Sequence, residues 1–116
     1  MKKEKRSQKK VWVEINKAHA LHNADVIASK LHPSTKIYAV VKSNAYGHGL
    51  THFATLMESS PRIHGFCVDS VIEGMTLRNS GITKDILVIG PTLTSDLIEM
   101  AAEYRIQLSI SSKEAL

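Results

Sequence analysis

Apolar residues along the chain fall into two alternating kinds of run. Some are short, unbroken and rich in β-branched residues: KIYAVVK (36–42), HGFCV (64–68), DILVIG (85–90) and IQLSI (106–110). Others recur every three or four residues, the spacing that lines one face of a helix. Leu21, Ala24, Ala28 and Leu31 make such a stripe over about 17–31, with Asn16 as its cap and Pro33 as its stop. Leu50, Phe53, Ala54 and Met57 make a second, ended by SSP (59–61). Ser70 and Glu73 have capping-box spacing and predict a third helix, with Val71, Ile72 and Met75 inward and a stop at Ser80-Gly81. TSD (94–96) offers caps for a fourth, bearing Leu97, Ala101 and Tyr104. VWVEI (11–15) is short and β-prone, and Ser111 with Glu114 repeats the box spacing just before Ala115 and Leu116.

Strand and helix signals that alternate every 20–30 residues predict βαβ units and a parallel sheet. Strands that are apolar throughout agree, because such a sheet is covered on both faces. A doubly wound open sheet and part of a (β/α)8 barrel both satisfy the pattern. The first strand–helix turn has no G-x-G-x-x-G, and there is no P-loop, which weakens the nucleotide-binding open sheet. The expected fold class is therefore α/β, the N-terminal part of a (β/α)8 TIM-like barrel, incomplete. A whole barrel needs about 250 residues. With four barrel-type strands in 116 residues, the chain is expected to be the front portion of a larger protein, inactive alone, with an open sheet edge.

Composition changes this picture only at the start. Six of the 15 basic residues and one of the 11 acidic ones lie in MKKEKRSQKK (1–10), so the rest is near neutral despite a net charge of +4. The expected organisation is a basic disordered tail over 1–10 and a partial barrel domain over 11–116. Such a tail could touch nucleic acid or anionic lipid, but the plainer reading is a solubilising start with no nucleic-acid or membrane partner; a nucleic-acid role would show as binding that falls steeply with salt. VWVEINKAH is interrupted by Glu14, so it is no signal peptide, and no run reaches membrane-spanning length. A single cysteine forms no internal disulfide. These features together predict a cytoplasmic protein.

The candidate chemistry lies at Lys42, which ends the apolar run 36–42. In parallel α/β folds ligands sit at the carboxyl ends of the strands. Desolvation disfavours an ammonium, and a neutral amine attacks an aldehyde such as that of pyridoxal 5'-phosphate (PLP). Ser43, Ala45, Gly47 and Gly49 are small enough for a flat cofactor to approach, and Tyr46 offers a hydroxyl donor to a phosphate. The plain alternative is a lysine that ends its strand by reaching into water.

AVVKSNAYGHG (39–49) closely resembles the PLP-lysine signature of alanine racemases, with Ser43 in place of the usual alanine. WVEIN (12–16) with His22-Asn23, GFCVDSVIEGMTLRNSGI (65–82) and DILVIGP (85–91) resemble further blocks of that family, in order. The resemblance implies a fold-type III PLP enzyme that interconverts L- and D-alanine for peptidoglycan, and a homodimer. It implies that Lys42 binds PLP and is catalytic as one of two acid–base groups, and that Tyr46 lies near the phosphate. It assigns the opposite base to a tyrosine of the second subunit, which neither Tyr38 nor Tyr104 matches. Arg78 and Glu73 read as structural. Asp69 and Gly74 stand where alanine is usual, Gly74 weakening its helix by about 1 kcal/mol. Serine is the alternative substrate. A non-catalytic PLP-binding protein is the alternative class, but the related homeostasis family lacks the N-A-Y-G-H-G continuation.

Four other signals carry less. His48 and His52 are four apart, but Gly49 stands where H-E-x-x-H has glutamate, and no metal is expected. His19 and His22 read as surface or packing residues. Cys67 reads as an inert core thiol. Asp69 reads as a helix-entry residue beside Ser70.

Overall fold

The computed structural model describes residues 10–115. The expected basic tail therefore lies almost wholly outside the described residues. Helix α1 (Lys17–Ser29) comes first, then β1 (Ile37–Val40) and a short turn over Lys42–Tyr46. Helix α2 (Leu50–Glu58), β2 (Ile63–Val68), α3 (Val71–Asn79), β3 (Asp85–Val88), α4 (Ser95–Glu103) and β4 (Gln107–Leu108) follow, then a 3₁₀ turn over Lys113–Ala115. All three strand pairings are parallel, and the sheet runs β1-β2-β3-β4 in chain order. This is the α/β arrangement expected of a barrel's first portion, and among the described residues the sheet is open.

Capping sets the phase of each helix. The Asn16 side chain accepts from the His19 N–H, Ser70 from the Glu73 N–H, and Thr94 from the Leu97 N–H. The Ser70 cap turns Val71, Gly74 and Leu77 toward the sheet, so Ile72, expected inward, is 56% exposed. At the far end of α3, Gly81 adopts φ 95°, and the Ile82 N–H returns to the Leu77 carbonyl at 3.1 Å. Gly74 has a packing reason that its helix propensity conceals. A Cβ there would come within 2.8 Å of Ile106 Cδ1, so glycine lets α3 approach the sheet closely.

The core fills the space between the helices and one face of the sheet. Phe66, Val68, Ile86 and Val88 of β2 and β3 are fully buried against α3 residues Val71 and Leu77. The other face carries the alternate residues. There Cys67 is buried but Val40 and Ile89 remain 44% and 42% exposed, so this face is only partly covered within the described residues. VWVEI forms no strand, because no neighbouring strand offers it a hydrogen-bond ladder. Instead Trp12 Nε1 donates to Glu14 Oε1 at 2.9 Å. Among the described residues no helix is long and apolar enough to cross a membrane.

Arg78 joins separate segments at the amino end of the sheet. Its guanidinium donates to the carbonyls of Ile82, Lys84, Tyr104 and Arg105 at 2.7–2.9 Å, tying the chain before β3 to the chain before β4. Burial draws this group below its ordinary value, with the nearby Arg105 charge acting the same way. Its role is structural, as expected.

Gly65 lies mid-strand where the Tyr38 ring crosses from β1 toward β3. A Cβ at that position would collide with the ring and stand 2.6 Å from the Asp85 carbonyl oxygen. Gly65→Ala is expected to destabilise the chain by about 3 kcal/mol, through overpacking that no rotamer relieves. Urea unfolding checks this, and an unchanged midpoint would show that β1 and β3 can give way.

Candidate active site at the carboxyl end of the sheet

The register aligns successive rows across the sheet. Tyr38 pairs with Gly65 and Gly65 with Asp85; two residues on, Val40 pairs with Cys67 and Cys67 with Leu87. The next step leads to Lys42 on the first strand's path and Asp69 on the second's. Hydrogen bonds continue beyond the strands at this end, from Val41 N–H to the Cys67 carbonyl and from Ile89 N–H to the Val68 carbonyl, both 2.9 Å. The Ser109 hydroxyl donates to the Val88 carbonyl at 2.7 Å. Lys42 therefore sits at the carboxyl end of a parallel sheet, where ligands of such folds bind.

It does not end its strand, however. The strand stops at Val40, Val41 is fully buried, and Lys42 opens a turn of the opposite hand. Ser43, Asn44, Ala45 and Tyr46 all have positive φ, between 51° and 58°. Left-handed residues with a Cβ cost roughly 1–2 kcal/mol each, so this turn is held by its surroundings. The Ala45 side chain is buried in the core, and its N–H bonds the Val41 carbonyl at 2.8 Å. Gly47 and Gly49, at φ 95° and 92°, return the chain to α2.

The turn exposes the two residues marked by the sequence. Lys42 is half-buried and Tyr46 is 63% exposed. Among the described residues neither the Lys42 amine nor the Tyr46 hydroxyl has a hydrogen-bond or ion-pair partner. A Cβ on Gly47 would meet nothing within 4 Å, so the turn has open space beside Tyr46. The other candidates have local duties. His48 Nδ1 lies 2.9 Å from the Ala45 carbonyl and its ring is tilted against Phe53. Burial pushes the Cys67 thiol up, which suppresses its thiolate. Asp69 precedes the Ser70 cap, and its carbonyl oxygen lies so close to Gly90 that a side chain there would collide with it.

The family model described as alanine racemase, N-terminal domain, matches residues 15–116. This chain belongs to that family. The alanine racemase of Nostoc sp. is 38% identical over 109 residues, covering 92% of this chain and 28% of that protein. The crystal structure of alanine racemase from Bacillus anthracis with bound L-Ala-P superposes with a TM-score of 0.82 at 35% identity, covering 90% of this chain and 26% of that one. A histidine racemase from Leuconostoc mesenteroides gives a TM-score of 0.77 at 34% identity, covering 85% and 26%. The chain thus spans about a quarter of the length of the curated relatives it matches, and its fold is that of the N-terminal barrel portion of alanine racemases.

Sequence reasoning missed a polar lock two rows below Lys42, on the same side of the racemase-type sheet. The Tyr38 hydroxyl donates to Asp85 Oδ2 at 2.9 Å, spanning three strands across Gly65. This bond raises the Tyr38 phenol above its ordinary 10.0, and desolvation adds to the rise. A raised folded-state value stabilises the fold below pH 10, and that contribution disappears as pH climbs through the higher folded value. One tyrosine is therefore expected to titrate late in the ultraviolet spectrum and to return to the ordinary range in Asp85→Asn. A spectrum that Asp85→Asn leaves unaltered would mean that the bond is not kept in solution.

Proposed function

We propose that this chain carries the cofactor-binding end of a PLP-dependent alanine racemase. In this reading Lys42 bonds the cofactor's aldehyde, and Tyr46 donates to its phosphate. One observation carries the proposal. A lysine amine without a partner is held half-buried at the strand ends of a racemase-family sheet, four residues before an exposed tyrosine on the same turn. The residues fit the group: both polar ends are free, and the glycine beside Tyr46 leaves room for a flat ring.

When bound, PLP draws into its ring the negative charge left at an amino acid's α-carbon. The chain's own part is to place an amine within reach of that carbon. With the cofactor in place, the Lys42 amine would be the group that takes or returns the α-proton on its own face. Inversion needs a second acid–base group on the opposite face. Tyr38 is a poor candidate, since its hydroxyl is bound to Asp85 two rows lower. The second group is assigned to a partner subunit, which makes the active protein a homodimer. The reading extends to a cytoplasmic enzyme that supplies D-alanine for peptidoglycan. It makes Lys42 and Tyr46 parts of a partial PLP-binding barrel domain over 11–116 that follows a basic tail.

The substrate's side chain is a separate matter. This portion of the fold is similar both to an alanine racemase and to a histidine racemase, at 35% and 34% identity. We therefore assign it the cofactor and the α-carbon chemistry, and assign the choice among alanine, serine and larger side chains to residues elsewhere.

Incubation of the chain with PLP followed by borohydride tests the proposal. Condensation of the Lys42 amine with the aldehyde expels one water and forms a C=N bond, which hydride from borohydride converts into a stable secondary amine. Mass-spectrometric mapping is expected to find the label at Lys42 and to lose it in Lys42→Ala. Label spread over the lysines of residues 1–10, equal in both proteins, would sink the assignment.

A further inference from the structure

We infer that Asn44 is the positioning residue of this site: it holds the left-handed turn that sets Lys42 and Tyr46 in place. The inference rests on the cofactor reading above, because it concerns what those two side chains present to PLP. Asn44 accepts three hydrogen bonds from the segment that follows it. Its main-chain carbonyl takes the N–H groups of Gly47 and Gly49 at 3.1 and 2.9 Å, and its Oδ1 takes the Leu50 N–H at 3.0 Å.

The last of these bonds is unusual in its reach. Leu50 is the first residue of α2, and its N–H is one of the four that a helix leaves unpaired at its start. The residue in the cap position, Gly49, has no side chain with which to serve any of the four. Asn44 does so from six residues back, closing the turn and the helix into one unit. At the other end Ala45 anchors the turn, through its buried methyl and its N–H bond to the Val41 carbonyl.

Residue type matters at Asn44 for two independent reasons. Its backbone sits at φ 58°, ψ 36°, a region that asparagine and aspartate enter more readily than other residues with a Cβ. Its side chain must also present an acceptor to Leu50. Aspartate meets both requirements, alanine and leucine neither. The Asn44 side chain is exposed, so replacing it opens no hole in the core. What would change is the path between Lys42 and Tyr46. If the turn relaxes to the ordinary hand, the backbone path that relates Lys42 to Tyr46 is a different one.

The experiment compares wild type, Asn44→Asp, Asn44→Ala and Asn44→Leu by two readouts. The first is the yield of borohydride-trapped PLP at Lys42 at a sub-saturating PLP concentration. Asn44→Leu and the milder Asn44→Ala are expected to lose roughly tenfold or more, as misplacement of a reacting group does, while Asn44→Asp stays near wild type. Equal trapping in all four proteins would overturn the inference. The second readout needs no cofactor: hydrogen exchange at the Leu50 amide, expected to quicken in the alanine and leucine variants and to stay slow in aspartate. The amides of β2 and β3 serve as the control for global folding. Trapping absent from Lys42 in wild type itself would sink the cofactor reading and with it the presented geometry. A Leu50 amide that exchanges alike in every variant would overturn the Asn44 role even if PLP labels Lys42 as expected.

Discussion

The ring of Tyr38 lies across the second strand, over Gly65, and its hydroxyl bonds Asp85 on the third. A parallel ladder is evenly spaced, so hydrogen bonding alone does not forbid a slip of register. The slip would turn every side chain to the opposite face, which the buried row of Phe66, Val68, Ile86 and Val88 resists. The Tyr38–Asp85 bond adds a marker that only one register satisfies, because only Gly65 leaves room for the ring. From that register the rest follows by counting. Two residues beyond Tyr38 is Val40, and two beyond that is Lys42, above the sheet at its carboxyl end.

Strain and unpartnered polar groups then occur at the same place. Four residues with a Cβ in the left-handed region represent several kcal/mol of local cost, which a surface loop without a task would shed. The buried Val41 and Ala45 on one side, and the Asn44 bonds into α2 on the other, offset it. A right-handed continuation from Val41 would carry the lysine and the tyrosine along a different path. The reversed hand places both at the start of a tight turn that leads straight into a helix, and it leaves both polar ends unpartnered. At the opposite end of the sheet many polar groups are paired instead, although Glu58 Oε2 is buried without a hydrogen-bond partner among the described residues. Arg78 spends its donors on four carbonyls, and Glu58 Oε1 accepts from Thr83 and from the Lys84 N–H. One end of the sheet is built to be static, the other to present free groups.

Most of the architecture was legible in the apolar runs and caps. Asn16, Ser70 and Thr94 each took up the capping role their position implied, and the runs at 36–42, 64–68, 85–90 and 106–110 each contained a strand. The runs overstate strand length because an apolar side chain can be buried without joining the ladder. Ile106 does so on the way into a two-residue β4, its N–H returning to the Ala101 carbonyl, while Val41 keeps one bond to β2 but already leads into the turn. VWVEI misleads for a related reason: β-propensity describes a fit to a neighbouring strand, and none stands beside it. The eleven-residue signature marks Lys42 and Tyr46 as candidates but not the hand of the turn that carries them, since hydrophobic periodicity holds no information on the sign of φ. A signal was nonetheless present. An asparagine followed by two glycines at three and five residues is a local pattern of left-handed tolerance, and it was read only as smallness.

Two of the three positions at which the resemblance gives alanine are filled here by Gly74 and Asp69, and each has a local account. Gly74 gives up helix propensity but lets α3 close on Ile86 and Ile106, so the cost is partly returned as packing. Asp69 brings a charge to the carboxyl end of the sheet, where an exposed carboxylate stays in water at little cost; a side chain at Gly90 would meet its carbonyl oxygen first and its Oδ1 next, at 3.0 Å. Both changes therefore leave the register and the turn untouched. The parts that are not free to vary are those in which geometry and chemistry coincide: a glycine under a crossing ring, an alanine that anchors a reversed turn, and an asparagine that closes it onto a helix. A lysine amine at the end of such a chain of constraints has its position decided by residues at a distance from it.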